Sequence, residues 1–310
     1  MAKALTLLCA AVWLAGCSKP PSPPAASSLD PKAFDTHRAY KNVAQLVAFG
    51  PRPSGGLALM QAAAWIKKEL ESYGFTVELQ EFTAGTPRGP VQFRNIVART
   101  ARQDKLPDSA LVIGAHYDTK SFENFQFVGA NDGASGAGVL VELARVAAQE
   151  PNLTFVWFDG EEAMNEYGTE DGLWGSQFFV ESLKGDGQVA NVKAMILLDM
   201  IGDANLNVTI PGNSHPKLVQ ATFDAAKALG YRDYFGFRPA GILDDHDSFR
   251  RAGIPAVDII DYEFGSAPGL HDYWHTDKDS MDKVAPRSLE IAGQTTLRLI
   301  ADLQAQHSLR

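Results

Sequence analysis

The sequence predicts an α/β protein, a three-layer sandwich in which helices cover both faces of a mixed, mostly parallel central sheet. Short apolar runs of the kind found in strands buried on both faces occur at residues 110–115, 153–158, 194–198 and 256–260. Segments with helical spacing of apolar residues separate these runs. Alternation of buried strands with helices is typical of a parallel sheet.

The other elements are predicted from hydrophobic spacing. Helices are expected at residues 35–49, 56–73, 134–149, 215–229 and 286–304, and further strands at 75–82 and 91–99. No internal repeat and no second linker interrupts this part of the chain. We therefore expect one catalytic domain over residues 35–310.

The first residues have the pattern of an export signal. Lys3 precedes a short apolar run, which is typical of a signal peptide and too short for a membrane-spanning helix. The ending Leu-Ala-Gly-Cys resembles a bacterial lipobox, which implies cleavage after residue 16 and lipidation of Cys17. The alternative is an ordinary signal peptide that happens to end in cysteine. Ser18 favours, by the same resemblance, the outer membrane.

Residues 17–34 are expected to form the lipidated cysteine and an extended tether, because residues 19–31 are rich in proline, serine and alanine. The only cysteines are Cys9 and Cys17, so the mature chain has no pair for a disulfide. The expected location is the bacterial cell envelope, with the domain facing the periplasm and the lipid in the membrane. A monomer is expected.

Composition excludes one class of partner. The chain has 310 residues, of which 45% are hydrophobic and 21% charged, as in ordinary globular proteins. The net charge is −9 and no run of lysine or arginine occurs. Nucleic-acid binding requires a basic face, so no nucleic-acid partner is expected.

Polar side chains follow the predicted buried strands, where the sites of open α/β sheets occur. The set comprises His116, Asp118, Asp132, Glu161, Glu162, Asp199, Asp244, Asp245 and His275. Imidazole and carboxylate without thiol suit a catalytic zinc ion. Single members have simpler explanations, since Asp132 also suits a helix N-cap and the two glutamates suit an acidic turn. The set as a whole favours a metal site.

Seven motifs occur in a characteristic order. They are HYDTK (116–120), GANDGASG (129–136), FDGEEA (158–163), LWGS (173–176), LLDMIG (197–202), DDHDSFRRAGIP (244–255) and WHTDKD (274–279). Together they resemble the zinc-aminopeptidase superfamily, which contains di-zinc aminopeptidases and glutaminyl cyclases with a single zinc. FDGEEA, the insertion after Glu162, the Asp-Asp-His triplet and the pair Trp274-His275 favour the cyclases. GANDGASG is closer to the aminopeptidase form.

The resemblance implies roles for individual residues. Asp132, Glu162 and His275 are implied as the ligands of one zinc ion. Glu161 is implied as the catalytic acid and base, and Asp199 and Asp245 as a hydrogen-bonded acid pair. For the substrate pocket, the implied aromatic walls are Trp274 and Tyr167, the latter standing where cyclases usually have tryptophan.

His116 separates the two branches. In the aminopeptidase alternative it binds a second zinc with Asp199, and Asp132 bridges the two ions. In the cyclase interpretation His116 is not a ligand. The expected function is conversion of the N-terminal glutamine of peptides or proteins to pyroglutamate with release of ammonia. The alternatives are a secreted di-zinc aminopeptidase that removes N-terminal residues, and a binding protein on an inactive hydrolase fold.

Overall fold

The computed structural model describes residues 29–100, 106–168 and 170–306. The predicted signal peptide, Cys17 and most of the tether lie outside the described residues. In chain order the helices are α1 (Thr36–Ala48), α2 (Leu57–Ser72), α3 (Ala134–Val146), α4 (Trp174–Gly185), α5 (Pro216–Ala228), α6 (Asp245–Arg251) and α7 (Pro286–Ala305). The strands are β1 (Thr76–Thr86), β2 (Gly89–Arg99), β3 (Ala110–His116), β4 (Leu153–Phe158), β5 (Val192–Asp199), β6 (Val208–Pro211), β7 (Phe235–Arg238) and β8 (Ala256–Ile260).

Six strands form the central sheet in the order β1-β2-β4-β3-β5-β8. Strands β4, β3, β5 and β8 are parallel, whereas β1, β2 and β4 pair antiparallel. The register pairs His116 with Phe158 and Asp199 with Ile260, so four strands end at one edge of the sheet. The polar candidate residues that follow the predicted buried strands are expected at this edge. Strands β6 and β7 form a separate two-stranded sheet.

Two apolar cores lie on opposite faces of the sheet, as the alternation of side chains along β3 shows. Leu111 and Ile113 belong to the larger core, which also contains side chains of α1, α2, α3, α5 and α7. Val112 belongs to the smaller core, which contains Phe179 of α4 and Phe249 of α6. The predicted three-layer sandwich with a mixed, mostly parallel sheet is therefore confirmed.

The predicted elements are all present, with small shifts at their ends. The helix predicted at 134–149 ends at Val146, and the strand predicted at 75–82 continues to Thr86 in an exposed hairpin. Helices α4 and α6 and strands β6 and β7 were not predicted. Helix α6 is short and begins with buried polar side chains, so it has no apolar periodicity to detect. In the described part of the chain, no helix combines the length and apolarity needed to cross a membrane.

Candidate active site and metal centre

A cavity of about 410 Å³ opens at the edge of the sheet where β3, β4, β5 and β8 end. It is lined by eight of the predicted residues: Asp132, Glu161, Glu162, Tyr167, Asp199, Asp244, Trp274 and His275. His116 lies beneath them at the end of β3 and is buried. Residues far apart in sequence thus converge because parallel strands bring their carboxyl ends together.

Asp132, Glu162 and His275 form a compact triad. His275 Nε2 lies 3.2 Å from Glu162 Oε1 and 3.3 Å from Asp132 Oδ2. One ligand atom from each residue lies within 4.8 Å of the others. Zinc bonds of about 2.0–2.2 Å separate the ligands of one ion by at most about 4.4 Å, so small side-chain rotations suffice. Two carboxylates and one imidazole are a donor set that fits zinc.

The electrostatics of the triad favour a bound cation. Burial lowers the pKa of His275, but the Glu162 and Asp132 carboxylates outweigh this and raise it to about 10. The two acids therefore stabilise a positive charge at the position of this ring. A metal ion supplies that charge when it displaces the proton from the imidazole. His275 also has a φ of 54°, a backbone strain typical of functional sites.

His116 belongs to a second group that shares Asp132. Its Nε2 atom is 3.2 Å from both Asp132 Oδ1 and Asp199 Oδ1, and its Nδ1 atom is 3.5 Å from Asp118 Oδ1. Asp132 thus faces both groups, one carboxylate oxygen towards each imidazole. All five residues of the di-zinc scheme are brought together. Asp199 contacts His116, although the cyclase interpretation paired it with Asp245.

The acid beside Asp199 is a correction to the sequence analysis. Asp244 lines the cavity, whereas Asp245 is fully buried and does not. No hydrogen bond joins Asp199 to Asp245 among the described residues. Asp244 is the extended N-cap residue of α6 and Asp245 is its first helical residue, so their side chains leave the backbone in different directions. The motif identified the acidic segment but not which of its two carboxylates reaches the site.

Glu161 lies between the triad and Tyr167, whose hydroxyl donates a hydrogen bond to Glu161 Oε1. Its other oxygen, Oε2, lies 3.8 Å from His116 Nδ1. Burial raises the pKa of Glu161 well above its usual range, with His116 opposing and Glu162 adding to the shift. A carboxyl group with a raised pKa and access to the cavity is suited to proton transfer.

Two buried aspartates fix the backbone of the site. Asp118 accepts hydrogen bonds from the N–H groups of Glu161 (3.3 Å) and Glu162 (3.2 Å). Asp279 accepts from the N–H groups of Asn131 (2.7 Å) and Asp132 (3.0 Å). Asp279 thus binds the backbone of Asp132, while His275 in the same segment contacts the Asp132 side chain. The WHTDKD motif contains Asp279, but the sequence analysis gave it no role.

The turn that carries Asp132 requires glycine at position 133. Gly133 has a φ of 89°, and a Cβ atom there would lie 2.6 Å from the carbonyl oxygen of Asp118 and 3.1 Å from the His116 ring. The close approach of this turn to β3 depends on the missing side chain. The glycine-rich spacing of the GANDGASG motif has its physical reason here.

Asp171 was missed by the sequence analysis and organises the loop that carries Tyr167. Its Oδ1 atom accepts the N–H of Met164 (2.8 Å), and its Oδ2 atom accepts the N–H groups of Asn165 (2.8 Å) and Glu166 (3.1 Å). Its position at the end of the insertion after Glu162 was the available signal.

Arg52 was also missed, and it supports the floor of the site. It is fully buried and donates to the carbonyl oxygens of Leu46, Gly50, Tyr117, Val128 and Gly129. Burial lowers the pKa of Arg52 to about 10, and the nearby acids partly oppose this. The prolines and glycines around it are typical of a turn and do not indicate a buried cation.

Aromatic side chains surround the triad. The Trp274 ring stacks on the His275 ring with centroids 4.0 Å apart, and it is 43% exposed at the mouth of the cavity. The rings of Phe122 and Phe127 contact the His275 ring edge-on, with centroid distances of 5.7 Å and 5.6 Å. The two predicted aromatic walls, Trp274 and Tyr167, both lie on the cavity.

Comparison with known families agrees with this architecture. The model of peptidase family M28 matches residues 95–300. The chain belongs to peptidase family M28. Within this family, a glutaminyl cyclase from an Acidobacteriales bacterium superposes with a TM-score of 0.80 at 32% identity, covering 94% of this chain and 99% of that one. Near-complete coverage at this identity assigns the chain to the glutaminyl cyclase branch.

Two further M28 relatives show the breadth of the family. A bovine glutaminyl-peptide cyclotransferase-like protein is 29% identical over 289 residues, which is 82% of this chain and 72% of the relative. A Zn-dependent exopeptidase from Parabacteroides distasonis has a TM-score of 0.77 and 29% identity, covering 87% of this chain and 98% of that one. The zinc dependence of the M28 family agrees with the donor set of the triad.

Proposed function

We infer that this protein is a glutaminyl-peptide cyclotransferase, which converts the N-terminal glutamine of peptides or proteins to pyroglutamate and releases ammonia. The observation that carries this inference is the position of Glu161. Its carboxyl group lies at the cavity wall, beside the triad and in contact with the Tyr167 hydroxyl. The match to a bacterial glutaminyl cyclase over 94% of the chain supports the same reaction.

We propose one catalytic zinc ion, bound by Asp132, Glu162 and His275. When bound, it supplies Lewis-acid polarisation of the γ-carbonyl group of the substrate. The single ion follows from the cyclase resemblance. His116 then acts as a hydrogen-bonding partner of Asp132 and Asp199, an arrangement its 3.2 Å contacts allow.

The chain's own residues perform the proton transfers. The α-amine of the substrate attacks the γ-carboxamide carbon, so a C–N bond forms and the bond to the side-chain nitrogen breaks. Glu161 takes a proton from the attacking amine and returns it to the leaving nitrogen, which departs as ammonia. The nucleophile is already tethered to the electrophile, so the cavity mainly holds one reactive conformer.

Trp274 and Tyr167 are proposed to hold the glutamine side chain, because both line the cavity, Tyr167 in contact with Glu161 and Trp274 stacked on His275. Asp199 and Asp244 are proposed to attract and orient the amine, since both carboxylates line the same cavity. Burial raises the pKa of Asp244 well above its usual range, and the nearby Asp199 adds to this. The two carboxyl groups are close enough to interact and therefore titrate as a pair.

The decisive experiment offers the purified chain an N-terminal glutamine peptide and a leucine anilide in parallel. We expect ammonia release and a product lighter by one ammonia, without anilide cleavage. Glu161→Gln should abolish turnover with zinc content unchanged. Glu166→Gln is the matched control, because Glu166 is an exposed acid in the neighbouring loop. Anilide cleavage by the wild type would favour the aminopeptidase alternative.

Zinc analysis tests the ligand assignment separately. Glu162→Ala should lose the catalytic ion, whereas His116→Asn should retain it and lose no zinc. Loss of one ion from His116→Asn would indicate the di-zinc arrangement in which Asp132 bridges two metals. Full occupancy in Glu162→Ala would remove Glu162 from the ligand set.

We propose that the chain is exported and anchored by lipid on Cys17 in the bacterial cell envelope, facing the periplasm and held in the outer membrane. The support is the Lys3-led apolar run and the Leu-Ala-Gly-Cys ending of the sequence. Metabolic labelling with a fatty acid should mark the wild type and the Cys9→Ser control, but not Cys17→Ser. Fractionation of membranes then tests the outer-membrane assignment.

A further inference from the structure

A third group of potential metal ligands lies at the cavity wall, beside the triad and the His116 group. Asp244 and His246 stand at the start of α6, and Asp258 lies in the middle of β8. All three are buried, and one ligand atom from each lies within 4.8 Å of the others. This group shares no residue with the catalytic triad or with the His116 group.

The polar atoms of this cluster lack partners. Both ring nitrogens of His246, both carboxylate oxygens of Asp258 and Oδ2 of Asp244 form no hydrogen bond in the described part of the chain. The second oxygen of Asp244 accepts the N–H of Asp245 at 2.5 Å. Buried polar atoms are nearly always satisfied, so five unpartnered atoms on three neighbouring side chains indicate a missing occupant.

The charges indicate what kind of occupant fits. Among the described residues, no lysine or arginine forms an ion pair with Asp244 or Asp258. Arg250 and Arg251 instead bind Asp247 on the outer side of α6. His246 Nδ1 lies 3.7 Å from Asp258 Oδ2. Burial lowers the pKa of His246 to about 4, so this ring is neutral at physiological pH and has a lone pair to offer.

We propose that Asp244, His246 and Asp258 bind a divalent cation, with zinc the best match to one imidazole and two carboxylates. The ion satisfies the cluster and offsets charge that the buried acids otherwise leave uncompensated. A proton shared between Asp244 and Asp258 removes only one of their two negative charges and leaves His246 without a partner. The cavity supplies a path for the ion, because Asp244 lines it.

The bound ion holds Asp244 from behind through Oδ2. The carboxylate is thereby fixed at the cavity wall, where it faces Asp199 and the substrate amine. This site is structural support for the proposed reaction and is separate from the zinc that acts on the substrate.

Metal analysis of full-length protein, purified with a histidine-free tag and dialysed against metal-free buffer, tests the site. We expect Glu162→Ala, which loses the catalytic ion, to retain about one zinc per chain. Adding Asp258→Asn should reduce this to none, since the amide keeps the shape but not the charge. Adding His116→Asn or Asp261→Asn should leave one; Asp261 is the matched control, another buried acid just beyond the same strand.

Three results would overturn the proposal. The first is a Glu162→Ala chain that contains no zinc, and the second is a Glu162→Ala/Asp258→Asn chain that still contains one. The third is loss of the remaining zinc when His116→Asn is added to Glu162→Ala. If the double variant fails to fold, the melting temperature of Glu162→Ala is measured with chelator and then with added zinc. We expect zinc to raise it, and no zinc-dependent shift would count against the site. None of these measurements depends on turnover, so their outcome does not test the proposed cyclase activity, which the peptide assay tests separately.

Discussion

Replacing Asp171 with asparagine tests whether one carboxylate holds the loop that brings Tyr167 to Glu161. The carboxylate accepts three backbone N–H groups, one at Oδ1 and two at Oδ2. An asparagine oxygen at the Oδ2 position keeps two bonds, now without the negative charge. Its NH₂ group then faces the N–H of Met164, so at least one hydrogen bond is lost.

The size of the effect follows from this count. A hydrogen bond to a charged acceptor contributes about 1.5–3 kcal/mol. At roughly 1.4 kcal/mol per factor of ten, the ratio of ordered to disordered loop falls by about 10- to 100-fold. We expect kcat/KM for glutamine peptides to fall by up to the same factor. The melting temperature should change little, because a surface loop opens independently of the core.

Steady-state cyclisation of a glutamine peptide, together with hydrogen exchange of residues 164–166, measures both consequences. Glu170→Gln is the matched control, since it removes a neighbouring exposed charge and should leave both quantities unchanged. Faster exchange without loss of activity would show that the order of this loop is not needed for catalysis. Unchanged exchange in Asp171→Asn would refute the structural argument itself.

Three further predictions concern binding, stability and pH. Trp274→Ala should raise KM by roughly 10-fold, because it removes a cavity wall and a ring stack worth about 0.5–1.5 kcal/mol; equal kinetics would contradict the assigned contact. Arg52→Met should destabilise the fold by about 3 kcal/mol or more in urea unfolding, since five carbonyl oxygens lose their donor. Burial raises the pKa of Asp261 to about 7, so the folded state binds its proton more tightly than the unfolded chain. Stability should therefore fall between pH 4 and 7, by up to about 4 kcal/mol from this group, and Asp261→Asn should flatten the profile; an identical profile would contradict it.

Much of the architecture could be read from the sequence because burial leaves a direct pattern. Strands β4 and β8 are fully buried and consist mainly of apolar residues, and their predicted bounds agree with the structure. Their neighbours β3 and β5 were found for the same reason. Elements without such a pattern were missed, as α6 shows, since its buried side chains are polar except for Phe249.

The sequence by itself determined the α/β class, the carboxyl edge of the sheet as the site, and the ligand types at that edge. Residue type and strand order carry this information, because a parallel sheet has only one edge where its strands end. The triad of Asp132, Glu162 and His275 was implied only by the resemblance of the motifs to the zinc-aminopeptidase superfamily, and the structure brings one ligand atom of each residue within 4.8 Å of the others.

Only the tertiary structure decided which neighbouring side chain faces the cavity and what supports it. Asp244 and Asp245 are identical in type and adjacent in sequence, yet the start of α6 turns Asp244 to the cavity and buries Asp245. Asp171 and Arg52 bind backbone groups, which every residue possesses. No pattern of residue types therefore indicates their structural roles. Side-chain direction and backbone hydrogen bonding depend on packing in three dimensions, and these decide the details of the site.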